Sequence, residues 1–217
     1  MLTVSKAAAV LLSTAMLLVT SCTRYVDDAR AVAAGDRAPL PSSDAARCTT
    51  VDAPLTTIQA LKDDEPVLKI PQPQGWVRST KLDSELFRFA MINRGLAGGG
   101  FAPNAVVTLE SVPGAEKPDA VFESQRQALE SGFGATDLRV TEHTLCGLPA
   151  ETVEYRTPVM GNVATHPGTV VMAVLQTDDK TYASSVTIQT AEPDDPTYKH
   201  DAEAILTGFQ MLPPAKG

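Results

Sequence analysis

Residues 151–189 read ETVEYRTPVMGNVATHPGTVVMAVLQTDDKTYASSVTIQ, and three strands joined by tight turns are legible in them. Val153 and Tyr155 alternate with Glu154 and Arg156, the period-two pattern of a strand with one buried face. Gly161-Asn162 is a two-residue hairpin signal, because both residues tolerate the positive φ such turns need. Residues 169–175 are apolar on both sides after Thr169, which predicts an interior strand. Asp178-Asp179-Lys180 turns the chain into residues 182–189, where Tyr182, Val186 and Ile188 point inward. Strands in such quick succession pair antiparallel, since a parallel return needs a long crossover.

The same pattern extends outward. Residues 138–145 form a strand ahead of Gly147-Leu148-Pro149. Residues 86–92 and 105–112 are partners across Gly98-Gly99-Gly100, which reads as a mobile hairpin loop; no Lys-Ser/Thr follows, as a phosphate-binding loop requires. Residues 67–70 make a short strand. Two helices are signalled. One covers 118–131, with Pro118 at its first turn, Gly132 as its stop, and Val121, Phe122 and Leu129 on one face. The other opens at Asp195-Pro196 and carries Tyr198, Ala202, Ile205, Leu206 and Phe209. A shorter helical turn is expected over 54–61, on the spacing of Leu55, Ile58 and Leu61. A mainly antiparallel sheet with helices packed on it is an α+β fold.

The chain has 217 residues, 43% hydrophobic and 20% charged, enough for one domain with a real core and some tail. With 18 Lys and Arg against 26 Asp and Glu, its net charge is −8. An acidic chain lacks the basic face that displaces counterions from nucleic acid, so a nucleic-acid partner is excluded. At the N-terminus, Lys6 precedes an uncharged apolar run over 7–20, too short for a membrane span and right for an export signal. The run ends in Val19-Thr20-Ser21-Cys22. An aliphatic residue, small residues and then Cys resembles the lipobox of bacterial lipoproteins, whose Cys thiol receives a diacylglyceryl group. The alternative is a plain secretory signal with Cys22 a stray thiol. The organisation expected is a lipoprotein signal peptide over 1–21, a flexible tether over 22–52 and one α+β domain over 53–217. Cys48 and Cys146 then form an even pair in an exported chain, where a disulfide is the expected state.

Set in order, these features resemble a known family. They are the lipobox and tether, Ile70-Pro71-Gln72-Pro73-Gln74-Gly75-Trp76, Pro103-Asn104-Ala105-Val106-Val107, Gly147-Leu148-Pro149-Ala150, and residues 201–209 (DAEAILTGF). The pattern is similar to the LpqN/LpqT family of mycobacterial lipoproteins over roughly 52–211. The resemblance implies the Mog1/PsbP fold, a sandwich of antiparallel sheet and helices, and a place in the cell envelope. It also implies work beside membrane transporters that handle mycolic-acid glycolipids. It brings no catalytic residues with it.

The search for chemistry agrees with that silence. His143, His166 and His200 have no second ligand at metal spacing, so no metal or cofactor is expected. No Gly-x-Ser-x-Gly elbow presents a nucleophile, and Ser184-Ser185 sit inside a strand. Asp178-Asp179 and Asp194-Asp195 lie where turns and caps want Asp. Trp76 reads as core, with the lining of a ligand cleft as the alternative. Phe87, Phe89, Met91 and Phe101 flank the glycine loop as core or, in the second reading, as an acyl-binding wall for which the loop is a gate. The function expected is a non-catalytic, monomeric, lipid-anchored protein on the outer face of the cytoplasmic membrane. Its partners would be the membrane, an envelope glycolipid and a membrane transporter. An interaction module without a small ligand and an exported hydrolase are the alternatives.

Overall fold

The computed structural model describes residues 47–214. Signal peptide, lipobox, Cys22 and the tether up to residue 46 lie outside the described residues. The strands are β1 (Leu55–Ile58), β2 (Val67–Pro71), β3 (Val77–Arg78), β4 (Phe87–Ile92), β5 (Asn104–Pro113), β6 (Thr136–Leu145), β7 (Leu148–Arg156), β8 (Pro167–Gln176), β9 (Lys180–Gln189) and β10 (Gln210–Leu212). Helices α1 (Pro118–Gln127) and α2 (Pro196–Gly208) complete the α+β fold. The strands form a seven-stranded sheet, β3-β4-β5-β9-β8-β7-β6, and a three-stranded one, β1-β2-β10. All pairings are antiparallel.

Strand β8 is interior, as its two-sided apolar pattern predicts, and Val170 to Leu175 are all buried. One of its faces meets α1, where Phe122 packs with Val153, Tyr155, Val170, Met172 and Val174. The other meets α2 and the small sheet, where Tyr198, Ala202, Ile205, Leu68, Ile70 and Met211 pack with Val107, Val171, Ala173, Val186 and Ile188. Helix α2 starts where expected: the Tyr198 amide donates to the Asp195 side chain at 2.9 Å, and Pro196 follows the cap. Among the described residues no helix is long and apolar enough to cross a membrane.

Two local expectations need correction. The segment expected as a helical turn over 54–61 is strand β1. Thr56 and Thr57 are β-branched, and the free edge of β2 offers them a hydrogen-bonding ladder; only Ile58 of the three apolar residues is buried. Helix α1 stops at Gln127 and continues as a π-helical turn over Ala128–Phe133; it ends at Gly134 with φ 82°, so Gly132 is not the stop. The glycine loop is a hairpin, as expected, with a tighter turn than a plain loop. Gly98 and Phe101 exchange both backbone hydrogen bonds, at 3.0 and 2.9 Å, around Gly99 and Gly100 with φ of 56° and 78°. Two positive φ values are what a type I′ turn demands.

The turn between β6 and β7 has the same character, with Cys146 at φ 52° and Gly147 at φ 83°. Its tip carries the disulfide. Cys48 and Cys146 are joined across 98 residues of sequence, so the segment before β1 is held against the far edge of the large sheet. Val51 then packs beside Gly208 at the end of α2.

Candidate functional site

An opening lies where the small sheet's β1 edge faces the β3–β4 edge of the large one. It is an open cleft of about 630 Å³, within the size range of small-molecule sites. Ile58, Leu61, Phe87 and Phe89 supply its apolar surface, and Thr56, Gln72, Arg78, Asp83 and Ser84 its polar one. A groove between α1 and the sheet holds only about 260 Å³ and falls below that range.

The cleft owes its shape to a bulge. The β4–β5 register shifts between Phe87 and Phe89, leaving Arg88 as the extra residue, and a bulge re-aims the side chain it displaces. Arg88 turns inward and is buried. Its guanidinium donates to both carboxylate oxygens of Glu65, at 3.0 and 2.7 Å, and to the Gln59 carbonyl at 3.2 Å. Glu65 also accepts the Leu61 amide at 2.8 Å. The ion pair therefore helps fix the β1–β2 loop, a wall of the cleft that Asp64 also ties down through Lys180 and Tyr182. Burial pushes the Glu65 carboxyl upward, but the Arg88 and backbone hydrogen bonds outweigh it and hold the group below its ordinary value.

The other wall is set by Arg78. Its guanidinium lies 4.4 Å from the Phe89 ring centre, a cation–π contact. It donates to the Ala90 carbonyl at 3.2 Å, to the Ser79 carbonyl, and to Asp83 at 2.7 Å. Opposite it, Thr56 Oγ1 donates to Gln72 at 3.0 Å, and Gln72 in turn donates to the Trp76 carbonyl at 2.9 Å. The arrangement combines an apolar floor with fixed hydrogen-bonding groups at the rim. It offers no nucleophile with an adjacent base.

Of the five candidate ligand-wall residues, Phe87 and Phe89 line this cleft. Trp76 and Met91 are core, both almost wholly buried, and the Trp76 indole N–H is satisfied by Asp201 of α2 at 2.8 Å. Phe101 is elsewhere. It stacks on His166, with ring centres 4.5 Å apart, at the opposite end of β4 from Phe87. The glycine hairpin therefore does not border this cleft. What sequence reading missed was Arg78 and the Arg88–Glu65 pair. A charged residue between Phe87 and Phe89 in a strand was the available signal for the bulge.

The remaining candidate groups are held by structural partners, except that His166 Nε2 is buried without a hydrogen-bond partner. His143 Nε2 pairs with Thr152 Oγ1 at 2.9 Å, and buried His166 Nδ1 meets the Ala164 carbonyl at 2.9 Å. Ser184 Oγ donates to the Thr108 carbonyl at 2.8 Å, and Ser185 pairs with Thr108 Oγ1 at 2.7 Å. Among the described residues, no three His, Cys, Asp or Glu groups converge to hold a metal ion.

Comparison with known proteins agrees with this architecture. Residues 50–212 match the family described as probable lipoprotein LpqN. The chain belongs to the LpqN lipoprotein family. No curated protein matches the sequence closely enough to count as a relative. Among solved structures the chain is similar to the crystal structure of LpqN, described as involved in cell envelope biogenesis of Mycobacterium tuberculosis. The TM-score is 0.58 at 15% identity, covering 74% of this chain and 91% of that one. At that identity the likeness is one of fold. The α+β fold above, with its mainly antiparallel sheets, is thus of the LpqN type.

Proposed function

We propose that this LpqN-family protein is a non-catalytic, lipid-anchored component of the cell envelope, held on the outer face of the cytoplasmic membrane through Cys22. In this reading it binds an amphipathic glycolipid or similar apolar ligand in the β1–β4 cleft and serves a membrane lipid-export complex. The observation that carries the reading is the cleft itself: about 630 Å³, with Phe87, Phe89 and Ile58 as its apolar floor and Thr56, Gln72 and Arg78 along its rim. Such a site suits a molecule with an acyl part and a hydroxyl-rich head. The family and the envelope role described for the solved LpqN support the address.

Native mass spectrometry of the protein, extracted gently from its own cells, tests the ligand. Co-purified lipid, lost in a Phe87→Asp/Phe89→Ala variant that stays folded, is the expected result. An empty wild-type protein turns the reading toward a plain interaction module. Fractionation of Cys22→Ser tests the anchor: release from membranes or an unprocessed precursor is expected, and wild-type behaviour tells against acylation.

A further inference from the structure

The register of the large sheet defines its two ends. Ala150 is level with Ala173, Ser184 and Leu109. Hence the Cys146-Gly147 turn, the β8–β9 turn and the chain leaving β5 lie at one end, and the glycine hairpin lies at the other. Phe87 and the residues before β4 also belong to the first end, because Phe87 pairs with Thr108 and the Leu109 amide donates to the Leu86 carbonyl.

That first end carries a continuous exposed apolar patch. Leu61 is 55% exposed, Val112 44%, Leu86 38% and Phe87 36%. Leu61, Leu86 and Val112 share a recess of about 370 Å³, and Leu61 and Phe87 share the mouth of the cleft. Side chains of this size left together in water mark a contact surface. Phe133 and Val159, also exposed, border neither opening.

The disulfide adds direction. Cys48 is bonded to Cys146, so the polypeptide arriving from Cys22 joins the folded body at this same end of the strands, at the β6–β7 edge across the sheet from the cleft. Twenty-five residues separate Cys22 from Cys48, a reach of at most ~90 Å when fully extended. The charges around the patch are mostly satisfied within it. Glu65 pairs with Arg88, Asp64 with Lys180, and Asp83 with Arg78. Glu85 and Glu110 border the recess with Lys62, so nothing there favours an anionic surface.

We propose that this end of the sheet is a bilayer-contacting surface, with Leu61, Leu86, Phe87 and Val112 resting in uncharged lipid and the cleft opening directly onto it. The proposal rests on acylation at Cys22, and gives the cleft an orientation that acylation alone does not. Ligand would then pass between bilayer and cleft without crossing water.

The test is hydrogen–deuterium exchange on the acylated full chain bound to phosphatidylcholine vesicles, with Cys22→Ser protein in solution as reference. Exchange at 59–66, 82–88 and 110–113 should slow several-fold on vesicles, while 93–103 and 158–166 stay unchanged. A Leu61→Asp/Phe87→Asp variant should stay anchored and lose the protection. Protein that fails to associate with the vesicles tells against the anchor. Protein held on vesicles without protection at this end, or protected at the other, overturns the surface. Protection that appears only when a membrane protein is added overturns lipid as the occupant.

Discussion

The two ends of β4 make opposite use of exposed and flexible-looking sequence. At one end, Gly98-Gly99-Gly100 has every compositional mark of a mobile segment, yet it closes into a two-bond hairpin with Phe101 seated on His166. At the other, Phe87-Arg88-Phe89 looks like plain strand and produces the opening, because a bulge spends one residue on an ion pair and leaves two aromatic rings at a cleft. Glycine marks where the backbone can take positive φ; it does not mark where the structure opens. An opening arises where two sheets meet and their edge side chains fail to fill the gap.

The largest expected effect on this comparison comes from the disulfide. Cys48→Ala removes a cross-link over 98 residues, which the chain-entropy argument values at about 4–5 kcal/mol. Urea denaturation with and without reductant measures it, and the reductant effect should vanish in the variant.

The ion pair at the open end comes next. Arg88→Met leaves Glu65 buried without its partner, and breaking such a pair costs about 3–5 kcal/mol. The β1–β2 loop should loosen with it, visible as faster hydrogen exchange over 59–66. A smaller loss in Arg88→Met/Glu65→Leu would separate the orphaned charge from the lost wall.

Acid should weaken the open end. The Glu65 carboxyl titrates below its ordinary value in the folded protein, so the unfolded chain binds its proton at higher pH. The stabilisation is therefore complete above the unfolded carboxylate value of ~4.3 and is lost as pH falls through the lowered folded value. Stability curves between pH 6 and 3 should slope less steeply in Arg88→Met/Glu65→Leu than in wild type.

At the closed end, alanine at Gly99 or Gly100 forces an L-residue to φ of 56° or 78°, at a cost of about 1–2 kcal/mol each. Lipid occupancy by native mass spectrometry should not change. Phe87→Ala should do the reverse. Its ring is partly exposed, so stability should move by less than about 1 kcal/mol, while occupancy falls.

Long, periodic segments were legible because their burial is settled by their own pattern. The alternation of Val153 and Tyr155, the two-sided run in β8 and the Asp195-Pro196 helix start all have local causes, and each holds. Short elements were not legible. Strand β3 has two residues and β10 three, too few for any period, and both exist because a neighbouring edge recruits them. Strand β1 was misread for the same reason: Leu55, Ile58 and Leu61 fit a helix spacing, and only the edge of β2 makes them a strand.

The candidate site divides along the same line. Sequence by itself determined the export signal pattern, the α+β class and the family resemblance, and made a Cys48–Cys146 bridge the expected state; only the fold brought the two within bonding distance. It supplied Phe87 and Phe89 only as members of a larger apolar set. Tertiary structure decided where each of that set went: Trp76 and Met91 into the core, Phe101 to the far end, Phe89 buried beneath the cleft and Phe87 exposed at its mouth. Hydrophobicity is a property of a residue and can be read from a list. Exposure is a property of what packs beside it, and Arg88 reaching back to Glu65 across 23 positions exists only once the chain has folded.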